Sequence, residues 1–370
     1  MPQPRLSPAA DRVLAGLLLA GAGVAFIWGA QRLPALETLA LGYDWHNYWV
    51  MFQAGRPNYA AADVFNPPWT LALLWPLAAL PFKTGWALLT LLTLLVFALA
   101  GPRRSSGGPA VPGSLGLLLS FWVLRSIADG NVAALTVAGF LLLNAGWRSA
   151  SPGRVAAGVL LVTAKPQESA LALLVLGAEM VRTWPARRWL AAAGWIGAGA
   201  LPPLLLWGGD WLGRLLPAGR LSASLARPVN NISLAGLVSA GFPAWAPAAL
   251  SLIVLALTAA VVARRRWTFT PELTGLLVAA GLLISPYANV TSLAVALAVA
   301  VGPLIRSWPL AGWTLLALAF VPYVTAQPHT AAAWPESWQT LYLGLIWAAA
   351  AWHLGRGPAA AEPAATEPAR

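Results

Sequence analysis

Residues 84–100 read TGWALLTLLTLLVFALA, a run that contains no charged side chain. Its leucines and alanines follow one another without the strict polar–apolar alternation of a half-buried β-strand. Its length is close to the roughly 20 residues that an α-helix needs to cross the hydrocarbon core of a bilayer. The run therefore predicts an apolar helix in contact with lipid.

The composition of the whole chain agrees with this interpretation. Of its 370 residues, 59% are hydrophobic and only 9% are charged, whereas a soluble globular domain carries roughly 25% charged residues. In hydrocarbon, the backbone N–H and C=O groups must form their hydrogen bonds within helices or a closed barrel. Because the apolar runs lack the alternation of barrel strands, the composition predicts an all-α integral membrane protein.

Further apolar runs predict a polytopic transmembrane bundle of about twelve helices. They lie at 13–30, 84–100, 115–124, 132–147, 154–164, 169–181, 189–207, 243–263, 273–284, 290–305, 309–326 and 339–354. The aromatic segment 31–83 is expected to be a first outer loop carrying juxtamembrane helices, one of them at 69–81. We expect residues 1–354 to form a single domain and 355–370 to be a disordered cytoplasmic tail.

Arginine clusters set the expected orientation, because short cytoplasmic loops carry an excess of Lys and Arg. The clusters are Arg103/Arg104, Arg148/Arg154, Arg182/Arg187/Arg188, Arg264/Arg265/Arg266, Arg306 and Arg356. Placing them all in the cytoplasm puts both chain ends inside, although Lys83 fits poorly and leaves an extra crossing open. These arginine clusters explain the formal net charge of +11. The chain has no separate basic domain that would indicate a nucleic-acid partner.

Most of the unusual polar residues fall in the opposite, extracytoplasmic set of loops. Ionisable groups near membrane depth are costly, so each is a candidate site residue. Asp44 stands among aromatic residues, where it is either a general base or an exposed interfacial acid. Lys165, before a helix-breaking proline, is either a phosphate clamp or a snorkelling lysine paired with Glu168.

Two further groups are more ambiguous. Arg125 and Asp129 have the spacing of a helical ion pair, although Arg125 could also reach a phosphate. Arg227, Asn230 and Asn231 end an expected outer loop that contains Trp207, Asp210, Trp211, Arg214 and Arg220. Such residues occur both in sugar-binding sites and in solvated loops.

Several kinds of site are missing from the sequence. The chain has no cysteine, no Asp-x-Asp motif and no phosphate-binding P-loop, and its three histidines are far apart. A nucleotide-sugar enzyme would use paired aspartates to hold a divalent cation on a diphosphate. The sequence therefore predicts a site that uses neither a metal ion nor another cofactor.

Ordered motifs resemble those of the family 87 glycosyltransferases, membrane enzymes of the GT-C class. The first outer loop carries Asp44–x3–Tyr48, Ala54–Gly55–x3–Tyr59, Phe65–Asn66–Pro67–Pro68 and Pro76–Leu–Ala–x–Leu–Pro81. Gly130–Asn131, Lys165–Pro166–Gln167, Asn231–x–Ser233–Leu234 and Ser285–Pro286 follow in order. The resemblance extends over roughly residues 10–350.

This resemblance implies a GT-C fold in a bacterial inner membrane and an inverting transfer of a hexose, with mannose as the expected sugar. The donor would be a sugar on a polyprenyl phosphate, and the acceptor a lipid-linked or cell-surface glycan. Asp44 would be the catalytic base. Residues expected to bind the donor phosphate or sugar are Lys165, Gln167, Arg125, Asn131, Arg227, Asn231, Tyr48, His46 and Asn289.

One departure leaves other functions open. After Ser-Pro the family often carries a Trp-Asp-His-His-like stretch, but this chain has Tyr287–Ala–Asn289–Val–Thr291. A non-catalytic membrane subunit of the same fold therefore remains an alternative. A transporter or flippase of lipid-linked glycans is another, although it would need polar groups on both faces of the membrane.

Overall fold

A computed structural model describes residues 8–36, 41–53, 59, 64–102, 111–225, 231–238, 241–325 and 337–356. Within these ranges every regular element is a helix, and the β-type pairing is limited to an isolated bridge between Asn231 and Asn289. The predicted all-α class is therefore confirmed for the described part of the chain. Arg103, Arg104 and Arg227 lie outside it.

Seventeen α-helices lie within the described residues. They are α1 (Pro8–Arg32), α2 (Tyr43–Phe52), α3 (Pro68–Ala78), α4 (Phe82–Ala100), α5 (Val111–Leu119), α6 (Phe121–Asp129), α7 (Ala133–Arg148), α8 (Pro152–Val162), α9 (Pro166–Thr183), α10 (Ala186–Leu225), α11 (Ala246–Arg264), α12 (Pro271–Ile284), α13 (Ser292–Ala296), α14 (Gly302–Ser307), α15 (Pro309–Leu318), α16 (Val321–Thr325) and α17 (Ser337–Arg356). A 3₁₀ turn at Leu234–Val238 precedes α11, and a π-helical turn at Leu297–Val301 joins α13 to α14.

Proline begins many of these helices. It occupies the first position of α3, α8, α9, α12 and α15. At that position the fixed φ of proline suits a helix, and the missing N–H would have had no partner inside the helix. Pro166 therefore starts α9 in the place where the sequence predicted a break.

Three expectations from the sequence need correction. The expected outer loop with Trp207, Asp210 and Trp211 is helical, because α10 continues without a break to Leu225. The run 115–124 is divided at Ser120 between α5 and α6. The last helix reaches Arg356 rather than ending at 354, and the rest of the expected tail lies outside the described residues.

Among the described helices, three are long and apolar enough to cross a bilayer: Phe82–Ala100, Ala186–Gly213 and Ala246–Arg264. The pair α6 and α7 adds a fourth if the two count as one span, although they are bent by 117°. Others, such as α8 and α12, are apolar but shorter than a full crossing. The structure supports a helical bundle with three to four candidate spans, and the expected count of about twelve is not confirmed.

Large apolar side chains project outward from the long helices. Leu205 on α10 is 83% exposed and Leu252 on α11 is 67% exposed. An apolar face of this kind is disfavoured in water and stable against lipid tails. The outward-facing side chains therefore agree with the composition in pointing to membrane association.

The interior is held together by close helix approaches at small residues. On the α7–α8 hairpin, a Cβ at Gly139 would lie 2.9 Å from the carbonyl oxygen of Gly158, and the converse distance is also 2.9 Å. Small residues of this kind let backbones pack in direct contact. Helix α12 is central, since all of its residues from Leu273 to Leu283 are buried.

The connections between helices lie at two ends of the bundle. At one end, Arg182 donates to the carbonyl of Arg266 at 2.7 Å, and Arg265 donates to that of Leu354 at 2.7 Å. Glu179 accepts a hydrogen bond from the backbone N–H of Phe269 at the same end. Because α9 and α12 pack against each other, their other termini, at Lys165 and Ser285, lie at the opposite end.

Lys83, which fitted the predicted topology poorly, has a local role. Its ammonium donates to the carbonyl oxygens of Leu33 at 2.6 Å and Gln31 at 3.4 Å. Lysine is favourable there because the last carbonyls of a helix lack partners within it. Lys83 thus fastens the end of α1 to the start of α4.

Candidate functional site

Asp44 lies in the first turn of α2, and neighbouring contacts fix its position. Gly42, with φ +70°, donates from its backbone N–H to the carbonyl of Ala128 at 2.6 Å, which ties α2 to the end of α6. Trp45 is fully buried, and its indole N–H donates to the carbonyl of Phe82 at 3.0 Å. Asp44 itself is half-buried, so its carboxylate is held on a rigid turn yet remains accessible.

Asn131 occupies the connection between α6 and α7 and contacts this carboxylate. Gly130 takes the left-handed conformation, with φ +68°, and the N–H of Asn131 then donates to the carbonyl of Ser126 at 2.9 Å. The side-chain Nδ2 of Asn131 donates to Asp44 Oδ2 at 2.5 Å. Its Oδ1 accepts from the backbone N–H of Ala133 at 2.9 Å, which caps the start of α7.

Lys165 lies in the turn between α8 and α9 and contacts the same Asn131 side chain. Its Nζ donates to Asn131 Oδ1 at 2.8 Å and to Thr291 Oγ1 at 3.4 Å. Glu168 Oε1 lies 3.6 Å from the same ammonium. The side chain is buried, so Lys165 pairs with Glu168 but does not snorkel at an ordinary loop.

The predicted pair of Asp44 and Lys165 is therefore joined through a single amide. Asp44, Asn131 and Lys165 come from three separate turns, yet they form a continuous hydrogen-bonded row. The carboxamide can serve both neighbours because its nitrogen donates and its oxygen accepts. A carboxylate and a cation are thus held near each other at one end of the bundle.

The segment after α12 contributes the other side of the site. Asn231 and Asn289 form the isolated bridge, and Asn231 Oδ1 accepts from the N–H of Ala288 at 3.1 Å. Asn289 Oδ1 accepts from the N–H of Thr291 at 3.0 Å. Asn231 therefore braces the backbone, while Asn289 orients Thr291, which in turn contacts Lys165.

Asn66 connects the segment between α2 and α3 to the lysine turn. Its Nδ2 donates to the carbonyl of Ala164 at 2.8 Å, and its Oδ1 accepts from the Tyr48 hydroxyl at 2.9 Å. Trp69 donates to Thr163 Oγ1 at 3.2 Å beside it. Tyr48 thus donates its hydroxyl to Asn66, which links α2 to the lysine turn.

Other predicted residues stand outside the hydrogen-bonded row. Arg125 is exposed and pairs with Asp129 at 2.8 Å, as the structural interpretation expected. The ring of His46 packs edge-on against Phe82, with centroids 5.7 Å apart. Gln167 is half-buried in the first turn of α9. Arg227 lies outside the described residues.

Two tyrosine side chains have a raised pKa, partly because of the negative charge of Asp44. Burial, together with the negative charges of Asp44 and Glu168, raises the pKa of Tyr48 well above its usual value. Burial also raises the pKa of Tyr287, where the hydrogen bond with Asn289 acts in the opposite direction and the charge of Asp44 adds to the effect. Both phenols therefore stay neutral at physiological pH.

Glu168, which the sequence indicated only as a partner of Lys165, lies buried beside it. It is 1% exposed, its Oε1 accepts from Ser292 Oγ at 2.5 Å, and its Oε2 is buried with no hydrogen-bond partner among the described residues. The sequence also indicated no role for Asn66, Thr291 and Ser292. The available signals were a carboxylate three residues after Lys165 and an Asn two residues before Thr291, a spacing typical of a local Asx turn.

Within the described part of the chain, no group of three His, Asp or Glu residues is placed to hold a metal ion. The site offers one accessible carboxylate, one buried ammonium and several amides and hydroxyls. No protein-family model, no curated protein and no solved structure matches this chain, so the resemblance to family 87 depends on its motifs alone.

Proposed function

We propose that this chain is an inverting membrane glycosyltransferase that moves a hexose from a polyprenyl-phosphate donor to a lipid-linked or surface glycan. The observation that carries the proposal is the row in which Asn131 joins the Asp44 carboxylate to the Lys165 ammonium. Hexosyl transfer from a lipid phosphate needs one base for the acceptor and one cation for the leaving phosphate. The row holds both.

In the proposed reaction, Asp44 takes the proton of the acceptor hydroxyl. The acceptor oxygen then bonds to the anomeric carbon on the face opposite the phosphate, and the bond from that carbon to the phosphate oxygen breaks. The configuration at the anomeric carbon is thereby inverted. The Lys165 ammonium holds the phosphate during the reaction without a metal ion, and the polyprenyl phosphate leaves as a monoester with one more negative charge.

The proposed setting is a bacterial inner membrane crossed about twelve times. The arginine-bearing end of the bundle would face the cytoplasm, and the Asp44 end would lie at the extracytoplasmic rim. A donor whose polyprenyl chain stays in the bilayer presents its phosphate at that depth. This supports a lipid-linked donor over a soluble nucleotide sugar.

The proposal is tested by a transfer assay in membranes with a panel of radiolabelled polyprenyl-phosphate sugars. The wild type should transfer one of the sugars, and Asp44→Asn should reduce transfer by at least about 10²-fold, the usual contribution of a general base. The matched control is Glu272→Gln, a carboxyl-to-amide change in the first turn of α12 at the opposite end. Full activity of Asp44→Asn would remove the base from the mechanism.

A non-catalytic lipid-binding subunit is the second candidate. It is favoured by Asn289, which stands where the family often carries histidine and which here orients Thr291. Binding of polyprenyl phosphate without transfer of any sugar would support this candidate. Translocation of a lipid-linked glycan without transfer would instead support a flippase.

A further inference from the structure

The charges around Lys165 do not form a simple cationic clamp. Its ammonium is bonded to Asn131 and Thr291 and lies 3.6 Å from the buried Glu168 carboxylate. Asp44 adds a second carboxylate through Asn131, and the nearby Arg125 and Asp129 compensate each other at 2.8 Å. Two carboxylates and one ammonium give the cluster one formal negative charge before any ligand binds.

Such a cluster discriminates between ligands that differ in charge. A phosphodiester carries one negative charge, whereas a phosphate monoester carries about −1.5 to −2 near pH 7. The Lys165 ammonium can neutralise the first negative charge of a bound phosphate. The second negative charge has no further cation in this row and is repelled by the Glu168 carboxylate. A polyprenyl-phosphate sugar is a phosphodiester, and the polyprenyl phosphate that remains after transfer is a monoester.

We propose that Glu168 is a specificity-determining residue, which makes the site accept a singly charged phosphodiester and reject the doubly charged monoester. This inference rests on the proposed function and deepens it. The buried Oε1, held between Ser292 at 2.5 Å and Lys165 at 3.6 Å, is fixed where it opposes excess negative charge. The same repulsion promotes release of the polyprenyl phosphate product and disfavours diphosphate-linked donors.

The geometry also indicates how an anion reaches Lys165. The bond to Thr291, at 3.4 Å, is the longer of the two hydrogen bonds of the ammonium. An anionic oxygen that replaces the neutral Thr291 hydroxyl would add the attraction of opposite charges to the hydrogen bond from the ammonium. Asn131 and Glu168 would stay in place, so the ligand binds in the presence of both.

The test compares two ligands with the same tail, a short-chain polyprenyl phosphate and its methyl phosphodiester. The detergent-solubilised full-length protein is titrated with each ligand, and binding is followed by the fluorescence of its 21 tryptophans. Wild type should bind the phosphodiester several-fold more tightly than the monoester. A site with an uncompensated cation would show the opposite order, so tighter wild-type binding of the monoester overturns the inference.

Glu168→Gln isolates the contribution of the carboxylate. Its oxygen can still accept from Ser292, but the opposing charge is gone. The ratio of the two dissociation constants should therefore shift by about tenfold in favour of the monoester. The matched control is Glu179→Gln, a buried glutamate of the same helix at the other end of the bundle, which should leave the ratio unchanged.

The outcomes separate the inference from the proposed function. If both ligands bind but Glu168→Gln keeps the wild-type ratio, the role of Glu168 is wrong and the transferase proposal still stands. If neither ligand binds the wild type, a phosphate site at Lys165 does not exist and both proposals fall. If Glu168→Gln does not fold, the relative affinities of the wild type for the two ligands still test the inference.

Discussion

The side-chain amide of Asn131 donates a hydrogen bond of 2.5 Å to the Asp44 carboxylate, across 87 positions of the chain. The amide oxygen at the same time accepts from Lys165 at 2.8 Å. Asn131 therefore fixes both the direction of the carboxylate and the position of the ammonium. The distance between the base and the cation in the proposed reaction depends on this one side chain.

We expect Asn131→Ala to lower transfer by about 10²-fold, because a displacement of reacting groups by about 1 Å is enough for a loss of that size. Initial transfer rates at saturating donor would measure the effect. The control is Asn144→Ala on α7, since Asn144 donates only to the carbonyl of Phe140 within its own helix. Equal rates for the two variants would show that the amide does not hold the reacting groups in place.

The expected orientation can be tested by labelling, because the chain has no cysteine of its own. Tyr43, next to Asp44, is 73% exposed, and a Cβ at Gly153, in the first turn of α8, would meet nothing within 4 Å. An impermeant maleimide should label Tyr43→Cys in intact cells and Gly153→Cys only after permeabilisation. The reverse pattern would place the site in the cytoplasm and contradict the lipid-linked donor.

Gly130 is the backbone position on which this geometry depends. It has φ +68°, and a Cβ there would lie 2.6 Å from the Cβ of Trp45. Gly130→Ala should therefore destabilise the protein by about 1–3 kcal/mol. Thermal unfolding in detergent would show a lower midpoint, together with reduced transfer.

Gly177→Ala provides the control for this change. Gly177 lies within α9, and nothing is within 4 Å of a Cβ built on it. Alanine is better than glycine inside a helix by roughly 0.5–1 kcal/mol, so the unfolding midpoint should stay the same or rise. An unchanged midpoint for Gly130→Ala would mean that α2 and α6 can separate without loss.

The helices and the site differ in how well they could be predicted from sequence. Apolar runs are local, so most helix positions followed from them, as for α4 and α7. Asp44, Asn131 and Lys165 were found because polar residues are conspicuous in an apolar chain. The contacts that join them through Asn131 were not predictable, since Asn131 meets Asp44 across 87 positions and Lys165 across 34.

The length of α10 shows a second limit. The sequence predicts a loop at Trp207 and Trp211 because tryptophan, glycine and charged residues interrupt the apolar run there. In the structure Trp211 donates to the carbonyl of Phe65 at 3.0 Å, and Trp207 packs against Trp75. These contacts with Phe65 and Trp75 support a helix that the local composition alone does not favour.

Asn66 and Tyr48 should behave as a coupled pair. Asn66→Ala leaves the buried Tyr48 hydroxyl and the Ala164 carbonyl without their partner, which costs about 1–3 kcal/mol. Tyr48→Phe removes the hydroxyl, so adding Asn66→Ala to it should cost less than Asn66→Ala alone. Unfolding midpoints of the four proteins would give the coupling, and strictly additive effects would argue against the shared hydrogen bond.

Lys165 and Glu168 should also depend on each other, with consequences that separate stability from binding. Lys165→Met leaves Glu168 buried without its cation, and loss of one partner of a buried pair costs about 3–5 kcal/mol. The double change Lys165→Met with Glu168→Gln removes both charges and should recover most of that stability. It should not recover binding of the polyprenyl methyl phosphodiester, because the cation that meets the phosphate is still missing. A double variant no more stable than Lys165→Met would show that the 3.6 Å contact contributes little. A double variant that still binds the methyl phosphodiester would place the phosphate on another residue.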